Sequence, residues 1–247
     1  AMLAATGQDH YHEQFQPLPG GFLYAEVGDA DGLERLIREN PCAAVMIEVV
    51  QGEGGVRPIG REFAAQIAAL TEKYDLLLIT DEVQLGNGRS GSLYGYMEYG
   101  LHPDLVTTAK GLGGGLPIGA TLFSERVADV FSPGDHGSTF GGNAACCAGA
   151  LNILGRIDDE LLAGVKERSE YTVRELTGAE GIRNVSGMGL MLGFEPNGPA
   201  REFAEKLLAN GVLVTTAKQK IRLLPALNIP MEQLKSAVQI IKRCAAE

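Results

Sequence analysis

Short apolar runs alternate with amphipathic segments between residues 43 and 123. The runs at residues 43–50, 76–80 and 105–108 are rich in aliphatic and β-branched side chains and predict buried strands. Between the first two runs, apolar side chains at helical spacing predict a helix over residues 63–74. This alternation is typical of an α/β fold with a parallel sheet, whose ligands bind beyond the carboxyl ends of the strands.

The pattern changes after residue 143, where strands and helices no longer alternate regularly. Asp158 predicts the N-cap of a long helix that ends at Leu176, with Val165 and Val173 facing inward. The other elements predicted here are a small-residue helix at 143–155, strands at 182–195, 212–216 and 220–224, and helices at 199–210 and 231–245. We therefore expect two domains, residues 1–158 and residues 159–247.

The first 32 residues give weaker signals. Residues 1–5 have the composition of a helix end closed by Thr6 and Gly7, and the prolines and glycines that follow predict irregular chain. A helix end without its body leads us to expect that the sequence starts inside a larger protein. An extra residue ahead of Met2 is the alternative.

Polar side chains follow each of the three predicted parallel strands. Glu48 and Glu53 come after the first strand, Asp81 and Gln84 after the second, and Lys110 after the third. Because the carboxyl ends of parallel strands meet at one edge of a sheet, we expect these side chains to lie along one rim.

Lys110 stands between a strand and the glycine-rich loop at residues 111–119, which is followed by a strand-like run at 118–123. Burial disfavours the charged form of a lysine, and the neutral amine is the nucleophile that condenses with a carbonyl. The stretch therefore suits a Schiff-base lysine. An exposed lysine at the entrance of a loop fits the stretch equally well. The glycines do not decide between the two, because phosphate-binding loops are glycine-rich too.

The rim residues together match the needs of a pyridoxal cofactor, which requires a lysine for its aldehyde and a carboxylate beside its pyridine nitrogen. Asp81 could supply that carboxylate, Val83 could pack against the ring face, and Gln84 could donate to a phenolic oxygen. A metal pair or an acid of the Walker B type is the alternative for Asp81 and Glu82, but no Gly-x-x-x-x-Gly-Lys-[Ser/Thr] motif lies upstream.

The amino-acid composition excludes several classes of binding partner. The net charge of −10 argues against nucleic acid and against an anionic membrane surface. The four cysteines form no Cys-x-x-Cys pair and histidine is scarce, so we expect no zinc site and no disulfide framework. No apolar run is long enough for a membrane span and no signal peptide is visible, which leads us to expect a cytoplasmic protein.

Five motifs stand in order along the chain and carry a family resemblance. They are the segments 51–55, 81–91, 109–120, 136–143 and 221–225, beginning with Gln-Gly-Glu-Gly-Gly and ending with Ile-Arg-Leu-Leu-Pro. Together they resemble the class III pyridoxal-phosphate-dependent aminotransferases, and within them the bacterial acetylornithine enzymes. The resemblance implies a fold type I α/β architecture, with a parallel-rich large-domain sheet, a C-terminal α+β small domain and the N-terminal part of the family fold absent.

The resemblance also assigns cofactor contacts residue by residue. Lys110 would bind the aldehyde of pyridoxal 5'-phosphate and shuttle a proton, and Asp81 would face the pyridine nitrogen. The remaining cofactor contacts implied are Glu82, Val83, Gln84 and, toward the phosphate in the neighbouring subunit of a homodimer, Thr139. No metal is implied.

Substrate contacts follow in the same way. Arg222 resembles the arginine that binds a substrate carboxylate, and Ser138 lies in the motif near the substrate. We expect Glu53 to pair with Arg222 when the reacting amine has no neighbouring carboxylate.

The activity implied is transfer of an amino group between N-acetylornithine and 2-oxoglutarate or glutamate in arginine biosynthesis. An ornithine or other ω-amino acid aminotransferase is the neighbouring alternative. A nucleotide-binding α/β module and an inactive fragment are alternatives of another class. Because part of the family fold would be absent, we expect these residues alone to bind the cofactor poorly, to turn over little and to leave an apolar flank of the sheet exposed.

Overall fold

The computed structural model describes residues 2–247. The helices are α1 (Met2–Ala5), α2 (Asp9–His12), α3 (Ala30–Glu39), α4 (Arg61–Lys73), α5 (Ala144–Leu154), α6 (Asp159–Leu176), α7 (Ala200–Ala209) and α8 (Met231–Ala246). The strands are β1 (Ala44–Ile47), β2 (Val50–Gln51), β3 (Arg57–Pro58), β4 (Leu77–Asp81), β5 (Leu105–Thr108), β6 (Ala120–Phe123), β7 (Ile182–Met188), β8 (Met191–Pro196), β9 (Thr215–Ala217) and β10 (Lys220–Leu223). Most lie within a few residues of where the sequence pattern predicts them.

The first sheet has the strand order β1-β4-β5-β6. Strands β1, β4 and β5 are parallel, and β6 returns antiparallel along β5. Across β4 and β5 the register pairs Asp81 with Thr107, so the residues that follow these strands emerge side by side. The predicted α/β architecture with a parallel-rich sheet is confirmed.

Strand β6 is the exposed edge of this sheet. All four of its residues are exposed, among them Leu122 and Phe123, and the ring of Phe131 packs edge-on against that of Phe123. The expected apolar flank is present at this edge.

Helices α3 and α4 cover the buried side of β1 and β4. The N-cap Asp29 accepts a hydrogen bond from Gly32 N at 2.8 Å and fixes the start of α3. The buried apolar side chains of both helices recur at helical spacing and join one core with strand residues such as Val45 and Leu78. Each such side chain stabilises the fold by roughly 1.5–3 kcal/mol through burial.

The second sheet is antiparallel, in the order β7-β8-β10-β9. Helices α6, α7 and α8 pack around it, and Phe194 and Ile221 are fully buried in the core they share. Asp158 caps α6 as predicted, because its Oδ1 accepts from Leu161 N at 2.8 Å.

Two predictions for the second sheet and its helices are wrong in detail. The stretch 182–195 is a hairpin and not one strand, because Gly189 adopts a φ of +54° that turns the chain between β7 and β8. Val173 does not face inward. Thr172 is buried in its place, and it can be, because its hydroxyl donates to Arg168 O at 2.8 Å inside the helix.

Contacts across residue 158 attach the second sheet to the first. Arg89 Nη1 donates to Leu190 O and to Pro225 O, each at 2.9 Å. Gly189 packs so closely on the backbone of Arg89 and Ser90 that a Cβ would overlap it. The domain boundary near Asp158 stays a prediction. No helix within residues 2–247 is both long and apolar enough to cross a membrane.

Candidate active site

The carboxyl ends of the parallel strands carry a group of charged side chains. Glu48 follows β1, Asp81 ends β4 and Lys110 follows β5. The charges of Asp81, Glu48 and Glu53 each act on the Lys110 amine, as does that of Arg222. The structure thus places Lys110, Asp81, Glu48 and Glu53 near enough for their charges to interact, and Arg222 from β10 contacts Glu53 and Gln84.

Lys110 opens a single 3-10 turn, Lys110–Gly113, with a backbone φ of +48°. A non-glycine residue in this left-handed region is strained, and it persists only where its surroundings hold it. Burial lowers the pKa of the ε-amine, opposed by the carboxylates of Asp81, Glu48 and Glu53. The net pKa lies below the ordinary lysine value, so more of the amine is in its neutral, nucleophilic form.

Asp81 has one carboxylate oxygen fixed by its surroundings. Its Oδ1 accepts from Val83 N at 2.9 Å and from Thr107 Oγ1 at 3.0 Å. Among residues 2–247 no hydrogen bond reaches Oδ2. The carboxylate is therefore oriented by two donors and keeps an oxygen for a cationic partner.

Glu48 is a second acid at the rim. Its pKa is raised to about 7, mainly by burial and also by the nearby charges of Asp81 and Glu53. The hydrogen bond from Gly52 N, at 3.4 Å from Oε2, and the charge of Lys110 oppose this rise. Its charge therefore changes near neutral pH. Within residues 2–247, no three His, Cys, Asp or Glu side chains are arranged to hold a metal ion.

Arg222 connects the two sheets at the rim. Its Nη1 lies 2.7 Å from Glu53 Oε1 and 3.4 Å from Gln84 Oε1, while its Nε donates to Thr215 Oγ1 at 3.2 Å. The Gln84 amide lies so close to Gly52 that a Cβ at position 52 would overlap it. The position of the amide beside Arg222 therefore depends on this glycine. Sequence reasoning placed Glu53 and Gln84 on this rim and obtained the Arg222 contact from the resemblance.

The loop that carries Glu53 is held from the second sheet. Val56 is fully buried with a φ of +51°, a strained conformation for a β-branched residue. Ser186 Oγ donates to Val56 O at 2.6 Å, and Lys220 Nζ donates to Ser186 Oγ at 2.6 Å. These contacts fix the end of the loop, and neither Ser186 nor Lys220 stood out in the sequence.

Glu82 does not belong to this group of side chains. Its two carboxylate oxygens accept from Gly95 N and Tyr96 N, each at 2.8 Å, and the residue is fully buried. Strand β4 ends at Asp81, and because successive side chains alternate, Glu82 points to the opposite side from Asp81. Residues 83–90 form turns, so the strand does not continue to Val83 and the alternation does not place its side chain. The backbone bonds occupy both oxygens, and the cofactor contact that the resemblance implied for Glu82 stays a prediction. Its carboxylate anchors the segment 95–96.

No hydrogen bond within residues 2–247 joins Ser138 or Thr139 to the rim group. Both are exposed, in a segment whose turn is closed by the bond from Gly141 N to Ser138 O at 3.1 Å. Thr107 and Asn87 are residues that sequence reasoning missed. Thr107 contacts Asp81 through the strand register, which the sequence alone does not give, and Asn87 lies inside a motif but had no assigned role.

The sheet order and the rim define an α/β protein whose reactive side chains meet beyond its parallel strands. Comparison with known families gives the particular group. The model of the aminotransferase class III family matches residues 1–245, and the chain belongs to this family.

Curated relatives and solved structures agree with this membership. The chain is 40% identical over 247 residues to an acetylornithine aminotransferase of Haemophilus ducreyi, covering 99% of this chain and 63% of the relative. It is 42% identical over 241 residues to the Aquifex aeolicus acetylornithine aminotransferase, covering 97% and 63%. The chain thus spans about 63% of the length of these relatives.

Two solved structures illustrate the likeness in fold. An ornithine aminotransferase from Toxoplasma gondii superposes with a TM-score of 0.91 at 30% identity, covering 99% of this chain and 60% of that one. An N-acetylornithine aminotransferase from Stenotrophomonas maltophilia gives a TM-score of 0.84 at 33% identity, covering 93% and 63%.

Proposed function

We propose that the chain carries the catalytic lysine of a transaminase that uses pyridoxal 5'-phosphate. The reaction moves an amino group between the terminal amine of N-acetylornithine and 2-oxoglutarate, forming glutamate, in arginine biosynthesis. The observation that carries the proposal is the group of Lys110, Asp81 and the Arg222–Glu53 pair at one rim. The names of the curated relatives support the choice of substrate.

The residues present fit this cofactor. Lys110 offers an amine with a lowered pKa, and Asp81 offers an oriented carboxylate with an oxygen left for a protonated ring nitrogen. Gln84 turns its Oε1 toward Arg222, which leaves its NH₂ group as a donor for a phenolic oxygen. When bound, pyridoxal 5'-phosphate supplies an aldehyde that condenses with amines and a ring that withdraws electrons.

Each rim residue then has one task. Lys110 would hold the cofactor at its aldehyde and, once its amine is free again, would move the proton at the amine-bearing carbon of the substrate. Asp81 would keep the proton on the ring nitrogen, because a carboxylate favours a cation beside it. Val83 would pack on the ring face, as the family resemblance implies.

Arg222 and Glu53 account for two different amino donors. Glutamate carries a carboxylate next to its reacting amine, and Arg222 can bind it with two parallel hydrogen bonds. The terminal amine of N-acetylornithine has no such neighbour, and an unpaired buried guanidinium would be unfavourable. Glu53 supplies the missing partner for that donor and moves aside for glutamate.

Ser138 and Thr139 enter the proposal through a second copy of the chain. Both are exposed, which suits contacts across a homodimer interface. Thr139 would reach the cofactor phosphate of the partner subunit, with Ser138 beside it near the substrate. The remaining partners are small amino and 2-oxo acids, and a cytoplasmic location belongs to the same proposal.

Ornithine aminotransferase is the second candidate. The structural match to the Toxoplasma gondii ornithine aminotransferase, at a TM-score of 0.91, favours it. Both candidates use the same rim chemistry and differ in the acyl group on the donor. Comparison of ornithine with N-acetylornithine as donors separates them.

The test measures the visible absorption of the chain with added pyridoxal 5'-phosphate. We expect a visible band that disappears in a single turnover when N-acetylornithine or glutamate is added, and that is absent in Lys110→Ala. Lys166→Ala, at an exposed lysine, is the matched control and should keep the band. A parent chain without the band even at a large excess of pyridoxal 5'-phosphate, which compensates for the weak binding expected of these residues alone, would overturn the proposal. Nucleotide binding at the glycine loops would then favour the nucleotide-binding alternative.

A further inference from the structure

Asn87 contacts the backbone immediately before Lys110. It is 5% exposed, and its Nδ2 donates to Ala109 O at 3.1 Å and to Thr108 Oγ1 at 3.0 Å. Ala109 O also accepts from Leu112 N at 3.0 Å, which closes the turn after Lys110. Two donors therefore hold the carbonyl of the peptide that joins Ala109 to Lys110.

The backbone at both positions is left-handed. Asn87 has a φ of +56° and Lys110 a φ of +48°. Asparagine tolerates this region, whereas lysine adopts it only where neighbouring contacts hold the chain. Gly111 lies against Asn87, since a Cβ there would be 3.6 Å from Asn87 Cβ. The Asn87 amide is therefore in the right place to hold the strained residue.

The orientation of the amide is fixed by its partners. Turning it over would place Oδ1 against Ala109 O, so that two acceptors would face each other. In the present orientation Oδ1 is buried without a hydrogen-bond partner among residues 2–247. An unpartnered buried acceptor is unfavourable, and the contribution that offsets it here is the pair of bonds donated by Nδ2.

We propose that Asn87 is a positioning residue for Lys110: its amide fixes the peptide 109–110 in the turn that aims the lysine amine at the carboxylates of the rim. This inference rests on the proposed function for its consequence in catalysis. Asn87 acts through the backbone and touches neither substrate nor cofactor.

The test labels the chain with trace acetic anhydride across a pH series and quantifies acetylated Lys110 by peptide mass spectrometry. No cofactor is added. The Lys110 amine is faced by Asp81, Glu48, Glu53 and Arg222, and these stay unchanged in every variant. Asn87→Gly keeps a left-handed backbone and removes the amide.

We expect Asn87→Gly to let the amine move into solvent, so that its pKa rises toward the ordinary lysine value. The higher pKa lowers the neutral fraction of the amine, and we expect the labelling rate near pH 8 to fall by about 3- to 10-fold. Asn184→Gly is the matched control, since Asn184 also has a left-handed φ of +50° and donates through Nδ2 to Glu195 Oε2 at 2.7 Å. It should leave the Lys110 profile unchanged.

Asn87→Ala removes the amide while keeping the Cβ, and it carries the test if the glycine variant does not fold. An unchanged Lys110 profile in a folded Asn87 variant would overturn the proposal. An equal shift in Asn184→Gly, or loss of the fold in both Asn87 variants, would also overturn it, because Asn87 would then be a general structural residue. The labelling result is independent of cofactor capture, so a failure of the proposed function is recognised separately.

Discussion

Arg222 and Glu53 lie 169 positions apart in the chain and form an ion pair with 2.7 Å between Nη1 and Oε1. The two side chains differ in their exposure and in how firmly they are held. The Arg222 side chain is 12% exposed and is held on a strand by Thr215, whereas that of Glu53 is 43% exposed on a glycine-rich loop. If one partner moves when a substrate carboxylate arrives, the geometry favours Glu53.

Replacement of Glu53 by Gln should change the preference between amino donors. The variant weakens the partner that competes with a substrate carboxylate for Arg222. We expect kcat/KM for glutamate to rise relative to that for N-acetylornithine by about 5- to 50-fold, which corresponds to about 1–2 kcal/mol. Equal losses for both donors would contradict the proposed exchange of partners. Glu202→Gln, on an exposed position of α7, is the control.

Replacement of Asp81 by Asn should release the proton of the cofactor ring nitrogen while leaving Lys110 able to bind the aldehyde. The amide keeps the size of the side chain but cannot stabilise a cation. The ¹⁵N chemical shift of ¹⁵N-labelled pyridoxal 5'-phosphate bound to the chain measures this directly. We expect a protonated nitrogen in the parent and an unprotonated one in Asp81→Asn; a protonated nitrogen in both would exclude Asp81 as its partner.

Replacement of Glu82 by Gln should affect stability and not cofactor capture. The amide can accept only one of the two bonds from Gly95 N and Tyr96 N and leaves the other donor buried without a partner. We expect a loss of about 1–3 kcal/mol in the free energy of unfolding by urea at pH 8. Loss of cofactor capture with unchanged stability would instead support the cofactor contact implied for Glu82.

Replacement of Glu48 by Gln should change how stability depends on pH. Burial raises the Glu48 pKa in the folded chain from 4.5 to about 7, so between these values the folded chain binds a proton that the unfolded chain releases. Stability therefore decreases as pH rises through this window, and the penalty is complete above pH 7. Glutamine has no titratable group, so the stability of the Glu48→Gln variant does not show this decrease with pH.

The measurement is urea unfolding of both chains at pH 4.5 and pH 8. We expect the stability of Glu48→Gln relative to the parent to improve by about 1–3 kcal/mol between the two pH values. Glu167→Gln, at an exposed position, is the control. A difference that is constant with pH, or that moves the other way, would show that Glu48 is not a buried acid.

Much of the sheet could be predicted from the sequence. The parallel strands are continuous apolar runs in the sequence, and residues 105–108 match β5 residue for residue. The group of polar side chains at the rim could be predicted because the carboxyl ends of parallel strands lie at one edge of a sheet. The hairpin of β7 and β8 was not recognised, because its turn interrupts the apolar pattern only at Gly189.

The finer details of the site depend on contacts that the sequence does not display. Glu82 was grouped with Asp81 because the two are adjacent, yet the alternation of side chains sends its carboxylate to backbone donors at residues 95–96. Thr107 and Asn87 reach the site through strand register and a long-range turn contact. Such partners become visible only when the elements have been placed in space.

The central claim is that Lys110 is the amine that captures the cofactor aldehyde. Borohydride reduction of the chain after incubation with pyridoxal 5'-phosphate, followed by peptide mass spectrometry, tests it most directly. We expect the reduced pyridoxyl group on the peptide that contains Lys110, and its absence there when Lys110 is replaced by Ala. A pyridoxyl group spread over exposed lysines such as Lys166, with Lys110 unmodified, would contradict the account.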